Sequence, residues 1–338
     1  MAGATVVYVS NAESGSISVL QLDERSGGLS TLQTLVVGGM LMPMAVSRDK
    51  RFLYVARRSE PLAVVALGID ARSGRLTPLG EAVLPASMAN IALDASGRWL
   101  FSASYPGNLV ALSPIGADGL PQPAKQIIPT GPKAHAICSD PSNRFVLATS
   151  LGAGQLLQFR FNAADGELVP NLPPALALRP QAGPRHFVFH PGAPFVYLLN
   201  ELDASIDVLA FDREGGTLWH LNTVSTLPAG FSGGAWAADL HLTPDGRFLY
   251  SSERRTNTLA AFAVHAGTGQ LSLVGHTPTQ AQPRGFAITP SGRHLIAAGQ
   301  LSHRVSVHAI EPGSGVLSLI SEHDVGRDPN WVEAIQLP

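Results

Sequence analysis

Arg51-Phe52-Leu53-Tyr54, Arg98-Trp99-Leu100-Phe101 and Arg144-Phe145-Val146-Leu147 are three copies of one pattern, in which a turn and a basic residue lead into an apolar strand. Pro194-Phe195-Val196-Tyr197, Arg247-Phe248-Leu249-Tyr250 and Arg293-His294-Leu295-Ile296 repeat it, and Thr5-Val6-Val7-Tyr8 is a seventh copy at the N-terminus. Their first residues are separated by 46, 47, 46, 50, 53 and 46 residues. A second marker keeps the same beat: a glycine-containing turn ends in leucine at Leu29, Leu76, Leu120, Leu168, Leu218, Leu271 and Leu317. Two independent markers with a period of about 48 residues fall in the range of propeller blades.

Each period accommodates four strands. In the third repeat they begin at His135 (A), Phe145 (B), Gln155 (C) and about Leu168 (D). Gln155-Leu156-Leu157-Gln158-Phe159-Arg160-Phe161 partly alternates between polar and apolar, as a half-buried strand does. Pro244-Asp245-Gly246 and Pro290-Ser291-Gly292 are turn signals between A and B. The chain enters at a strand B with no A before it. It ends on Asn330-Trp331-Val332-Glu333-Ala334-Ile335, a strand A with no B after it. The expected fold is therefore all-β: one seven-bladed propeller domain over 1–338, four antiparallel strands per blade. Residues 1–40 and 328–338 share the closing blade, which removes the open sheet edges that invite aggregation.

Composition agrees. Hydrophobic residues make up 45% of the 338 and charged residues 14%, enough apolar material for an extensive core. The 34 glycines and 26 prolines suit many tight turns. A formal net charge of -2 argues against a nucleic-acid partner, which calls for a basic face. No apolar run approaches the ~20 residues that cross a bilayer. No basic and then apolar leader opens the chain, so a cytoplasmic location without a membrane partner is expected. The single Cys138 forms no intrachain disulfide.

Overlaying the blades points to a site. Ten residues before each strand B, where strand A starts, stand Met42, Ala89, His135, Arg185, Ala238 and Arg284. Where strand B ends stand Arg58, Tyr105, Leu151, Glu201, Arg254 and Gln300. Antiparallel neighbours put the start of A beside the end of B, so both sets ring one mouth of the central channel. Several arginines with one carboxylate and one histidine suit an anionic substrate and a developing oxyanion. The same charges can also simply pair around a solvated channel.

The chain resembles the seven-bladed propeller lactonases, and within them the bacterial 6-phosphogluconolactonases, over nearly its whole length. The likeness is densest at Gly183-Pro184-Arg185-His186-Phe187-Val188-Phe189-His190-Pro191, Asn200-Glu201-Leu202, Trp236-Ala237-Ala238-Asp239 and Gln282-Pro283-Arg284-Gly285-Phe286. It implies hydrolysis of a sugar δ-lactone, 6-phospho-D-glucono-1,5-lactone to 6-phosphogluconate, the lactone-opening step of the oxidative pentose phosphate pathway. The family also includes a fungal cyclase of carboxymuconate lactones. Its His, Arg, Glu and Arg set falls on His135, Arg185, Glu201 and Arg254, with Arg255 a competitor for the last place. A lactonising cycloisomerase and a non-catalytic binding scaffold are the alternative functions. On the lactonase reading Glu201 or His135 is the general base, and Arg185 and Arg254 hold the oxyanion. Arg284 and Arg58 take the phosphate, and His186, Asp239 and Gln300 complete the substrate-binding set. The partner is a small anionic sugar lactone, no cofactor or metal is required, and a closed ring can work as a monomer.

Three rival signals are weaker. Gly230-Phe231-Ser232-Gly233-Gly234 has the spacing of a nucleophile elbow, but no helix is expected after it. His186 and His190, four apart on a strand, lie about 13 Å from one another, too far to share an ion. Asp239 and His241 alternate near the mouth and either could line the channel, while Trp236 could cap the channel or pack beside it.

Overall fold

The computed structural model describes residues 3–338, in which every regular element is a strand. Seven four-stranded antiparallel sheets form the blades of a ring. Six are sequential, over 41–83, 90–129, 134–177, 184–225, 237–278 and 283–324, and are numbered blades 1 to 6. The seventh joins the two ends of the chain. Strand β28 (Pro329–Gln336) pairs with β1 (Thr5–Asn11), which continues through β2 (Ser16–Leu22) to β3 (Leu29–Val36). Thr5 faces Gln336 and Val9 faces Val332, so the closure expected from the unmatched strands is present.

The repeated residues explain why neighbouring blades fit. Each strand B is nearly or wholly buried, as in β13 (Phe145–Ser150), where no residue is exposed. At six junctions the residue that opens or lies in strand B packs against a glycine in the C–D turn of the following blade. A Cβ on Gly74, Gly119, Gly166, Gly216, Gly269 or Gly315 would come within 2.0–2.7 Å of Val6, Phe52, Trp99, Phe145, Phe195 or Phe248 respectively. All six glycines have φ between +65° and +82°, a conformation that suits glycine. Four junctions add a second tie. The hydroxyls of Tyr8, Tyr54, Tyr197 and Tyr250 donate to the carbonyls of Gly74, Gly119, Gly269 and Gly315 at 2.8–2.9 Å. Turn and strand therefore match as a pair, and this pairing generated both sequence markers.

Blade 2 departs from the expected boundaries. Leu120 does not open its outer strand; β11 runs only over Gln126–Pro129, with an isolated bridge between Ile115 and Pro121 before it. Pro121 and Pro123 have no N–H to give to a ladder, which delays the pairing.

Two alanine substitutions separate backbone strain from steric clash. Gly97 has φ +71° and open space where its Cβ would go, whereas Gly216 has φ +68° with Phe145 2.0 Å away. Gly97→Ala is expected to cost about 1 kcal/mol and Gly216→Ala about 2–4 kcal/mol, read by denaturant unfolding. Equal losses would show that the glycine–ring contact does not hold the blades together.

Candidate active site

The innermost strands line the channel, and all but one of the sequential blades carry an irregularity near the start of that strand. The register shifts between Ala134 and Ile137 in β12 (Ala134–Ser139), and between Pro184 and Phe187 in β16 (Pro184–Phe189). It shifts again between Ala237 and Leu240 in β20 (Ala237–Leu242), and between Pro283 and Gly285 in β24 (Pro283–Ile288). A bulge re-aims side chains that a regular strand would send to opposite faces. His135, Arg185, His186, Asp239 and Arg284 all sit in these bulges.

The mouth is built around Glu201. Arg185 Nε donates to Glu201 Oε2 at 2.8 Å, and Arg254 Nη2 lies 3.1 Å from the same oxygen. Among the described residues, Glu201 Oε1 accepts no hydrogen bond, and the side chain retains 12% exposure. Backbone carbonyls fix both guanidiniums. Arg185 Nη1 donates to Ala238 O, and Arg254 donates to Trp236 O and Ala237 O at 3.1 and 3.0 Å. The Arg254 Cζ also sits 3.9 Å from the centre of the Trp236 ring, so Trp236 packs as a platform under the arginine. Arg255 is exposed, 5.0 Å from that ring, and makes no ion pair with Glu201. Burial alone would raise the Glu201 carboxyl, but Arg185 and Arg254 outweigh it and hold it below its ordinary value.

Arg284 and Arg58 flank this core. Arg58 Nε donates to Ser87 Oγ at 3.0 Å, and Arg284 has no hydrogen bond or ion pair among the described residues. Burial lowers the pKa of both. Repulsion from Arg185 and Arg58 depresses Arg284 further, to about 9, while Asp328 partly offsets the shift of Arg58. Gln300 stands at the same mouth but is engaged, donating to Asp328 at 2.7 Å and accepting from Gln282 at 3.0 Å.

His135 is buried at the floor of the mouth, edge-on to the rings of Tyr105 at 5.9 Å and His186 at 5.0 Å. Burial first, then Arg185, keeps it neutral, well below the usual histidine pKa. His186 and Asp239 lie one step deeper, bound to each other at 2.7 Å rather than to the arginines. Asp239 also meets His241 Nε2 at 3.1 Å and accepts from the backbone N–H of Leu240 and Phe286 at 3.0 and 3.3 Å. A cavity of about 290 Å³ beneath them is lined by His186, Asp239, His241 and Trp331.

The blade overlay thus brought His135, Arg185, Glu201, Arg254, Arg58 and Arg284 to one mouth. It missed Asp328 at the mouth and Glu333 deeper in the channel beside His241. Glu333 belongs to β28, whose strand B is β1 at the other end of the chain, so counting back from a following strand B cannot reach it. The signal that could have found it is antiparallel pairing across the closure, which sets Glu333 opposite Tyr8. Residues 230–234 lie in an irregular loop with no helix after it, so the serine there lacks an elbow. Among the described residues, no cluster of His, Cys, Asp and Glu could hold a metal ion.

Comparison with known proteins gives one consistent answer. The family model described as "Lactonase, 7-bladed beta-propeller" matches residues 4–334. A 6-phosphogluconolactonase of Pectobacterium carotovorum is 42% identical over 332 residues, 98% of this chain and 99% of the relative. That of Serratia proteamaculans is 40% identical over 330 residues, 98% of each chain. The solved periplasmic gluconolactonase of Pseudomonas aeruginosa superposes with a TM-score of 0.89 at 28% identity, covering 99% of this chain and all (100%) of that one.

The charge arrangement predicts a pH signature. A carboxylate depressed in the folded state stabilises above its unfolded pKa, and that stability is lost as pH falls through the lower folded value. Glu201→Gln leaves Arg185 and Arg254 without their anion, an expected loss of about 3–5 kcal/mol at neutral pH. Melting temperatures of the two proteins should differ by a constant amount down to about pH 5 and begin to draw together below about pH 4, as pH falls toward the lowered pKa of Glu201. A gap that does not begin to narrow there would mean that Glu201 is not the anion holding these arginines.

Proposed function

Because the chain belongs to the lactonase family of seven-bladed β-propellers, we propose that it hydrolyses 6-phospho-D-glucono-1,5-lactone to 6-phosphogluconate. It is an enzyme acting on a cyclic ester. The observation that carries the choice of lactone is the charge balance at the mouth. Four guanidiniums, of Arg58, Arg185, Arg254 and Arg284, face two carboxylates, of Glu201 and Asp328, and Arg284 has no partner. The excess of two positive charges matches a phosphate monoester, which carries about -1.5 to -2 at pH 7. A neutral sugar lactone would leave that excess buried and unmatched.

The chemistry follows from the two ends of the Glu201 carboxylate. Oε2 is taken by Arg185 and Arg254, which fixes the group and keeps it ionised. Oε1 is free to accept the proton of a water that attacks the lactone carbonyl. The tetrahedral oxyanion forms beside Arg185 and Arg254, whose positions are set by backbone carbonyls before substrate arrives. As the bond from C1 to the ring oxygen breaks, the proton on Glu201 returns to that oxygen. His135 is the second candidate base. Its ring is neutral and can accept a proton, but it is more deeply buried than Glu201. Arg58 and Arg284 then clamp the phosphate, where planar guanidiniums bind two oxygens each. So charged a substrate does not cross a bilayer unaided, which fits a cytoplasmic location; no helix among the described residues is long and apolar enough to span a membrane.

Purified protein should open 6-phosphogluconolactone far faster than buffer, and with higher kcat/KM than gluconolactone. Arg284→Met and Arg58→Met should raise KM for the phosphorylated lactone by about 10–100-fold while leaving gluconolactone hydrolysis nearly unchanged. Glu201→Gln should lower kcat by about 10²–10³-fold. Equal kcat/KM for both lactones would refute the phosphate assignment and favour a gluconolactonase.

A further inference from the structure

Lactone hydrolysis at neutral pH releases a proton that the mouth is poorly built to disperse. Water adds its oxygen to C1 and the C1–O ring bond breaks. One water proton ends on the new hydroxyl, and the other is lost as the acid product ionises. That second proton is set free under a bound substrate, inside a ring of arginines that repels it.

We propose that His135, His186, Asp239 and His241 form a proton-conducting chain along the central channel, carrying this proton from the reaction mouth toward the opposite opening. The proposal rests on the hydrolase reading above. Its geometry is hydrogen-bonded from His186 to His241, and one water would join His135 to it. His135 and His186 are ring neighbours at 5.0 Å, and His135 Nδ1 and His186 Nε2 are both buried without a hydrogen-bond partner. Leaving a buried nitrogen unpaired costs about 1–3 kcal/mol, so two on adjacent rings are the polar lining that a bridging water requires. His186 Nδ1 meets Asp239 Oδ1 at 2.7 Å, and Asp239 Oδ2 meets His241 Nε2 at 3.1 Å. The side chain of His241 is 42% exposed, so the chain ends in contact with solvent.

The groups also have the right protonation. Burial would raise the Asp239 carboxyl, but His241 and His186 outweigh it, and two backbone N–H groups help keep it an anion. An ionised Asp239 fixes the proton of His186 on Nδ1 and leaves Nε2, buried without a partner, as a lone pair on a ring that neighbours His135. Burial lowers His186 to about 4, so it accepts a proton without retaining it. Beyond it, Asp239 and Glu333 outweigh burial and raise His241, while burial lifts Glu333 to about 7. Between the two imidazoles proton affinity therefore rises away from the arginines, and Asp239 between them stays an anion that holds a proton only in passing. His186 takes the proton on Nε2 and gives its Nδ1 proton to Asp239, which passes it to His241 Nε2; His241 releases its Nδ1 proton to solvent, and both neutral rings then reset their tautomers.

The test is turnover of 6-phosphogluconolactone in weak buffer, with the enzyme-free rate subtracted. His186→Ala should lose about tenfold in kcat with KM unchanged, and added imidazole should restore it as a diffusible carrier. His241→Gln, at the half-exposed end, should show the same buffer-dependent loss and recovery. It decides the matter if His186→Ala does not fold. A kcat indifferent to both substitutions, or a loss that imidazole does not restore, overturns the relay. Failure of the wild-type protein to open the lactone would instead overturn the function from which the relay was argued.

Discussion

One contact repeats at six junctions and sets the spacing of the whole ring: a ring or branched side chain at strand B against a left-handed glycine of the next blade's turn. Glycine is required twice over there, by its φ and by the absence of room for a Cβ. Sheets packed face to face can slide along one another unless something sets their offset. Here the offset is set by a flat ring lying on a bare backbone, reinforced at four junctions by a tyrosine hydroxyl on the carbonyl of the same glycine. The inner ends of all blades then meet at constant height, so side chains from different blades converge at the channel mouth.

The junction between blade 6 and the closing blade breaks this rule. His294 opens strand B there and meets Glu24 at 3.2 Å, while Ser291 donates to the same carboxylate at 2.8 Å. Gly27 lies against Ile320 of the outer strand instead of an aromatic ring. Polar contacts replace stacking at the junction beside the closing pair of β28 and β1. Closure depends on the β28–β1 ladder between the chain ends, and these polar contacts tie a turn of the closing blade to blade 6. The result reaches the site directly, because β28 carries Trp331 and Glu333 into the channel.

The fold was legible because its signals are local. A basic residue, an aromatic strand and a glycine turn are each readable in a few residues, and their period did the rest. The mouth was legible for the same reason: His135, Arg185, Glu201 and Arg254 hold equivalent positions in different blades, and equivalence can be counted. What counting could not reveal is pairing. Nothing in the spacing says that Arg185 and Arg254 converge on one oxygen of Glu201, or that His186 turns away from Arg185 toward Asp239. Those outcomes depend on the bulge at the start of the inner strands, where two neighbouring residues share one partner residue. Glu333 stayed out of reach because its blade is assembled from both chain ends.

A cluster of arginines is costly to bury, and the placement of polar groups around it shows how the cost is contained. Arg185 and Arg254 are nearly inaccessible, yet each is tied to a main-chain carbonyl as well as to Glu201. Carbonyls cannot be protonated or moved by substrate, so they hold these two cations whether or not a ligand is bound. Arg284 and Arg58 lack such ties and keep most of their donors free. The mouth is thereby divided into a part whose charges are satisfied by the fold, suited to positioning chemistry, and a part whose charges await an anion. A propeller can carry that imbalance because its stability comes from seven inter-blade cores around the axis. None of those cores depends on the channel being neutral.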